Sequence, residues 1–89
     1  MKWRFDISRE AEKFLDRNET TIQEITLLVV KAILYFQRED ANIDIKKLKG
    51  EWRGFYRIRS GKLRVTAEFN FEDSVVFVER IDWRGNAYK

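Results

Sequence analysis

Residues 54–65 read Gly-Phe-Tyr-Arg-Ile-Arg-Ser-Gly-Lys-Leu-Arg-Val, and this stretch decides the fold. Two runs of alternating character flank Ser60-Gly61-Lys62, which predicts a tight hairpin because glycine readily adopts a positive φ. The first run begins at Trp52. One of its faces carries Trp52, Tyr56 and Ile58, and the other carries Arg53, Phe55, Arg57 and Arg59. The second run alternates Leu63, Val65, Ala67 and Phe69 with polar residues. We therefore expect two antiparallel strands with one buried face.

The remaining elements follow on either side of this hairpin. Residues 2–7 alternate as a half-buried strand, and Ser8 is a good N-cap for a helix that runs to about Arg17. Thr21 and Glu24 have capping-box spacing for a longer helix, roughly residues 21–38. A turn at Glu72-Asp73 precedes an apolar central strand over residues 74–81.

These elements predict an α+β fold in the order β-α-α-β-β-β, a single domain over residues 1–89. Its sheet is expected to be small and antiparallel, with about four strands and both helices packed on one face. The long helix carries an apolar stripe made of Ile22, Ile25, Val29, Ala32, Ile33 and Phe36. Further apolar residues widen this stripe. They indicate either a helix packed in a cleft, which we favour, or a surface that receives a partner protein.

Composition excludes several classes of protein. The 89 residues include no cysteine and no histidine, which excludes disulfides and thiolate metal sites and removes the usual general base. We expect no cofactor and no metal. The sequence begins without the apolar run of a signal peptide, and its longest apolar stretch is about half a membrane span. A cytoplasmic protein that does not contact membranes is the expectation.

The net charge of +3 is unevenly distributed. Residues 1–45 carry 7 basic and 9 acidic side chains, a net of −2, whereas residues 46–89 carry 11 and 6, a net of +5. A basic field of this density attracts polyanions, although an ordinary solvated surface would have the same composition. The candidate RNA-binding residues are Lys46, Lys47, Lys49, Arg53 and Lys62.

A set of arginines is the strongest sign of chemistry. Arg57 and Arg59 share the face of their strand that points away from the core, and Arg64 has the same orientation on the partner strand. Guanidiniums this close repel one another, an arrangement that is tolerable when they are solvated and becomes favourable when a phosphate bridges them. Arg84 and Tyr88 follow the last strand and could reach the same face, where an aromatic ring would suit stacking on an unpaired base. Taken singly, each of these residues has an ordinary structural explanation.

The ordered series Lys47-Leu48-Lys49-Gly50, Gly54 to Arg59, Gly61 to Val65, Val75 to Val78, Trp83-Arg84 and Tyr88 resembles the RelE/ParE toxin superfamily. The resemblance implies the toxin of a type II toxin–antitoxin system. It implies a metal-independent endoribonuclease that cleaves mRNA codons in the ribosomal A site by attack of the 2′-hydroxyl, and so inhibits translation. The implied partners are mRNA, the ribosome with its 16S rRNA, and a cognate antitoxin.

The resemblance also suggests catalytic roles. By motif position, phosphate stabilisation falls to Arg57, Arg59 and Arg64, protonation of the leaving oxygen to Arg84, and stacking or proton acceptance to Tyr88. Arginine is a poor general base, so the group that activates the 2′-hydroxyl stays open. Two alternatives remain: a ParE-like inhibitor of DNA gyrase without RNase activity, and a non-catalytic basic RNA-binding module.

Overall fold

The computed structural model describes residues 3–18, 22–38 and 42–83. Within these residues, five strands and two α-helices follow one another: β1 (Arg4–Ile7), α1 (Arg9–Arg17), α2 (Ile22–Phe36), β2 (Asp44–Lys47), β3 (Phe55–Ser60), β4 (Leu63–Asn70) and β5 (Val75–Trp83). The observed order differs from the predicted β-α-α-β-β-β by one additional strand, β2, and the α+β class with two helices packed on the sheet is confirmed.

The sheet has the order β1-β5-β4-β3-β2. Strands β2 to β5 form an antiparallel meander, and β1 pairs with β5 in parallel. Two expectations were therefore wrong: the sheet has five strands where about four were expected, and it is mixed where an antiparallel sheet was expected. The missed strand, β2, is an edge strand of four residues in which only Ile45 is apolar, too short for a period of two to stand out.

Local signals set the boundaries of the first helix and of the hairpin as predicted. The Ser8 hydroxyl accepts a hydrogen bond from the Ala11 amide at 3.1 Å, which satisfies one of the free donors at the start of α1. Ser60 pairs with Leu63 across the β3–β4 turn, where Gly61 has a φ of 60°. The predicted cap of α2, Thr21, lies outside the described residues.

The core lies between the helices and one face of the sheet. Ile58, Leu63, Val65 and Val76 are fully buried there, and each such side chain stabilises the fold by about 1.5–3 kcal/mol. Helix α2 contributes most of the helical side of the core, through Ile25, Leu28, Val29, Ala32 and Ile33. Neither described helix has the length and apolar character needed to cross a membrane.

The apolar surface of α2 extends well beyond its buried side. Ile22 belongs to the predicted apolar stripe but is 47% exposed, whereas Leu28, which was not part of that stripe, is buried. Leu27, Val30, Leu34 and Tyr35 are also exposed on α2. The cleft interpretation therefore holds for one side of the helix, while the other side leaves apolar area uncovered.

Trp52 is the other residue whose predicted face was wrong. The strand does not begin at Trp52, because Gly50–Trp52 forms a short 3-10 helix and Gly54 has a φ of 98°. Trp52 packs edge-on against Phe55, with 5.4 Å between ring centroids. The indole thus joins the face of the sheet that points away from the helices, where it lines a cavity with Arg57.

Candidate nucleic-acid interface

The face of the sheet opposite the helices carries two adjacent rows of charged side chains that cross β2, β3, β4 and β5. The strand registers align Lys46, Arg57, Thr66 and Arg80, which we call the cationic row. Two residues away on each strand, and therefore on the same face, the registers align Asp44, Arg59, Arg64 and Asp82, which we call the paired row. The rows differ in the acids that they contain.

In the paired row, each arginine is bound to an aspartate. The Nε of Arg59 donates to Asp44 at 3.1 Å, and the Nε of Arg64 donates to Asp82 at 2.9 Å. Two arginines and two aspartates leave the row with no net charge. The arrangement relieves the repulsion between Arg59 and Arg64, which face each other directly across β3 and β4.

The cationic row has three basic residues and no acid. The Nε of Arg57 is buried and has no hydrogen-bond partner among the described residues. An unsatisfied buried donor costs about 1–3 kcal/mol, and a catalytic role or a bound ion is one reason why such a group persists in a native structure. An anion that draws the Arg57 guanidinium toward it would relieve this cost. Of the acids that the structure describes, Arg80, at the other end of the row, forms an ion pair with Asp82 alone, with 3.6 Å between Nε and Oδ2.

A cavity of about 330 Å3 opens between the two rows. Three arginines line it, Arg57, Arg64 and Arg80, together with Leu48, Trp52, Thr66 and Asp82. Cations, one hydroxyl and one indole in a shallow basin suit a phosphate with an unpaired base beside it, because guanidiniums bind phosphate oxygens in pairs and aromatic rings stack on bases.

A bulge in β5 brings Arg80 into this cavity. Thr66 pairs with Arg80, but the next residue of β4, Ala67, pairs with Val78, so Glu79 has no partner in β4. Val76 and Val78 are buried against the helices, and strict alternation would turn residue 80 to the same side. The extra residue shifts the alternation, so that Ile81 is buried and Arg80 points to the open face.

Two hydrogen bonds join Ser8 to the bulge. Its hydroxyl donates to the Glu79 carbonyl at 2.6 Å, while its amide donates to the Val78 carbonyl at 2.9 Å. The same hydroxyl caps α1 by accepting from Ala11. One side chain therefore joins the start of α1 to the segment that orients Arg80.

The predicted site residues separate into three groups. Arg57 and Arg64 come together around the cavity as expected. Arg59 lies on the same face but does not line the cavity, because it is bound to Asp44 at the β2 edge. Arg84 and Tyr88 lie outside the described residues.

The predicted RNA-binding residues are all exposed but do not share one face. Lys46 belongs to the cationic row beside Arg57, whereas Lys47 pairs with Tyr56 and points to the helical side of the sheet. Lys49 and Arg53 flank the short 3-10 helix, and Lys62 lies in the β3–β4 turn.

Arg80, Asp82 and Trp52 line the cavity but were not singled out from the sequence as site residues. The sequence did contain a signal for Arg80 and Asp82. The buried positions of β5 run Val76, Val78, then Ile81, and a spacing of three in place of two marks a bulge. For Trp52, no signal in the sequence indicates a 3-10 turn in preference to a continued strand. Within the described parts of the chain, acidic residues do not cluster as a metal site would require.

This sheet order, with two helices on one face and arginines on the other, defines the class of structure: the fold is that of the RelE-type toxins. The resemblance inferred from the sequence is thus confirmed at the level of the fold. No protein-family description matches the sequence, and no curated protein does.

Individual solved structures match over nearly the whole chain. RelE in the archaeal RelE–RelB complex of Pyrococcus horikoshii is 24% identical with a TM-score of 0.65, covering 97% of this chain and 99% of that one. The toxin–antitoxin complex RelBE2 of Mycobacterium tuberculosis matches with 19% identity and a TM-score of 0.64, over 94% of this chain and 100% of that one. The YoeB–YefM complex of Staphylococcus aureus matches with 12% identity and a TM-score of 0.65, over 94% and 99%. At sequence identities this low, the structural similarity establishes the fold alone.

Proposed function

We propose that this protein is the toxin of a type II toxin–antitoxin pair and that it cleaves mRNA in the ribosomal A site. The observation that carries the proposal is the cavity on the open face, in which Arg57, Arg64 and Arg80 surround space for a phosphate. The fold shared with RelE and YoeB supports the toxin role. Acting on translating ribosomes, the protein would work in the cytoplasm.

The proposed reaction is attack of a ribose 2′-oxygen on the adjacent phosphate, without a metal ion. Charge develops on the phosphate oxygens in the transition state, and cations fixed beforehand stabilise that charge more than they stabilise the substrate. Arg57 suits this role best because its Nε has no competing partner among the described residues. Arg64 and Arg80 approach from β4 and β5.

The remaining roles come from the resemblance and from charge. Arg84 would protonate the leaving oxygen, and Tyr88 would stack on the codon. Arg59 is assigned a smaller role than the resemblance alone implies, since it does not line the cavity and is bound to Asp44 at the β2 edge. Lys46, Lys49, Arg53 and Lys62 are exposed and would contact the backbones of mRNA and 16S rRNA.

The proposed antitoxin has an apolar surface available to it. A cavity of about 420 Å3 between β1 and α2 is lined mainly by apolar side chains, among them Phe5, Val30 and Leu34. In the described chain, β1 is an edge strand that pairs only with β5, so its other edge can accept a strand. An antitoxin segment that covers this surface and extends acidic residues over the arginines would neutralise the site.

The test is primer extension on a translated mRNA, with purified protein, in the presence and absence of ribosomes. We expect cuts within codons only when ribosomes are present. Arg84→Ala should cut about 10²- to 10³-fold more slowly, the usual loss when one well-placed donor is removed. Full activity of Arg84→Ala would refute its assigned role.

The other functions predict different outcomes in the same assay. Intact mRNA together with gyrase-linked DNA breaks would identify a gyrase inhibitor. Tight RNA binding without cleavage under any condition would identify a binding module. Either result would refute the nuclease proposal.

A further inference from the structure

Attack by a 2′-hydroxyl needs a group that takes its proton, and an arginine cannot do this because it already carries its own proton at neutral pH. The sequence contains no histidine. Of the described residues that line the cavity, Asp82 is the only one with a carboxylate. We infer that Asp82 is the general base of the reaction. This inference rests on the proposed nuclease function and names the residue that completes it.

The two oxygens of Asp82 have different surroundings. Oδ1 accepts the hydrogen bond from Arg64 Nε at 2.9 Å, which fixes the orientation of the carboxylate. Oδ2 is 3.6 Å from Arg80 Nε, an ion pair that is too long to be a hydrogen bond. Among the described residues none donates a hydrogen bond to Oδ2, which therefore keeps its lone pairs for a hydroxyl. The side chain is 34% exposed, so a substrate can reach it.

The position of Asp82 relative to the arginines also suits the role. Arg64 and Arg80 contact the carboxylate through Nε and line the cavity with it. A phosphate held by these guanidiniums would bring its attached ribose beside Asp82. The two guanidiniums would also screen the repulsion between the carboxylate and the phosphate. A base must come within about 2.6–3.2 Å of the hydroxyl oxygen.

The proposed step balances in atoms and charge. Asp82 takes the 2′-hydroxyl proton as the 2′-oxygen forms a bond to phosphorus, and the bond between phosphorus and the 5′-oxygen breaks. The 5′-oxygen receives a proton from the acid assigned above, Arg84. The products are a 2′,3′-cyclic phosphate and a 5′-hydroxyl. The carboxylic acid of Asp82 then loses its proton to water, and Arg84 regains one.

Other acids near the site are less suited. Glu10 and Glu79 line a neighbouring cavity of about 210 Å3 together with Trp52 and Arg80, and neither reaches the space between Arg57 and Arg64. Asp44 binds Arg59 in the same way that Asp82 binds Arg64, but it lies at the β2 edge and does not line the cavity. Asp44 is therefore a matched control for Asp82.

The experiment compares Asp82→Asn, Asp82→Glu and Asp44→Asn with the parent. Single-turnover cleavage is measured on ribosomes programmed with mRNA, and binding on ribosomes whose A-site codon carries 2′-deoxyribose, which cannot react. An asparagine oxygen can still accept from Arg64, so Asp82→Asn removes the base while keeping the contact. We expect it to cleave about 10²- to 10⁴-fold more slowly and to bind the deoxy codon at least as tightly. Asp82→Glu should recover part of the rate, and Asp44→Asn should match the parent.

Each possible result supports or overturns the assignment of Asp82 as the general base. Parental cleavage by Asp82→Asn would overturn the inference and leave the nuclease function intact, with Tyr88 the next residue to test for the base. Loss of binding together with cleavage would assign Asp82 to structure and overturn it too. An inactive parent would refute the proposed function itself, a result that is distinct from either of these.

Discussion

The cationic row and the paired row occupy neighbouring positions on one surface, yet they differ in what they can bind. Asp44 and Asp82 neutralise the two arginines of the paired row, at 3.1 Å and 2.9 Å. The cationic row has no acid, and Arg57 keeps a buried Nε without a partner among the described residues. The number of arginines on a surface is therefore a poor measure of its affinity for phosphate. What decides is which of them line the cavity and how far an internal carboxylate already holds each one.

The largest expected effect separates the rows directly. Arg57→Ala should slow single-turnover mRNA cleavage by about 10²- to 10³-fold, because it removes the cation best placed to stabilise the phosphate. Arg59→Ala is its matched control on the same strand and face, and should slow cleavage by less than about tenfold. Its ion pair with Asp44 is partly exposed and should contribute at most about 1 kcal/mol to folding. Equal losses in both variants would show that Arg59 belongs to the site although Asp44 holds it and it does not line the cavity.

Sequence periodicity was sufficient to place Arg57, Arg59 and Arg64 on one face, because side chains alternate strictly along β3 and β4. It could not show which arginine is free, since the pairing of Arg59 with Asp44 depends on the register of a strand too short to recognise. Arg80 was missed for a related reason. Its side of the sheet follows from a bulge, and one extra residue reverses every later position of the strand.

The next prediction breaks the cationic row at Arg80 without altering Arg80 itself. Ser8→Ala removes the cap of α1 and the hydrogen bond to the Glu79 carbonyl. We expect it to lower the free energy of unfolding, measured in urea, by about 2 kcal/mol. If the bulge relaxes and Arg80 leaves the cavity, cleavage should also fall by about tenfold, the effect of losing roughly 1.4 kcal/mol of binding in the transition state.

A second substitution at the same position separates the two hydrogen bonds. Ser8→Asp can still cap α1, since aspartate is a good N-cap, but its carboxylate cannot donate to the Glu79 carbonyl. It should lose cleavage as Ser8→Ala does while keeping more of the stability that comes from the cap. Normal cleavage by Ser8→Asp would show that the bulge holds Arg80 without Ser8.

The smallest expected effect tests the edge of the cationic row. Lys46 and Lys47 are neighbours on β2, but Lys46 lies beside Arg57 on the open face whereas Lys47 points to the other side of the sheet. A lysine that neutralises one phosphate of single-stranded RNA contributes about 0.7 to the slope of log affinity against log salt concentration. Lys46→Ala should lower that slope by about 0.7, measured by RNA-binding titrations at several salt concentrations, and Lys47→Ala should leave it unchanged. Equal changes in the slope would mean that both lysines attract RNA through their charge alone, whichever face they point to, and the cationic row would then end at Arg57.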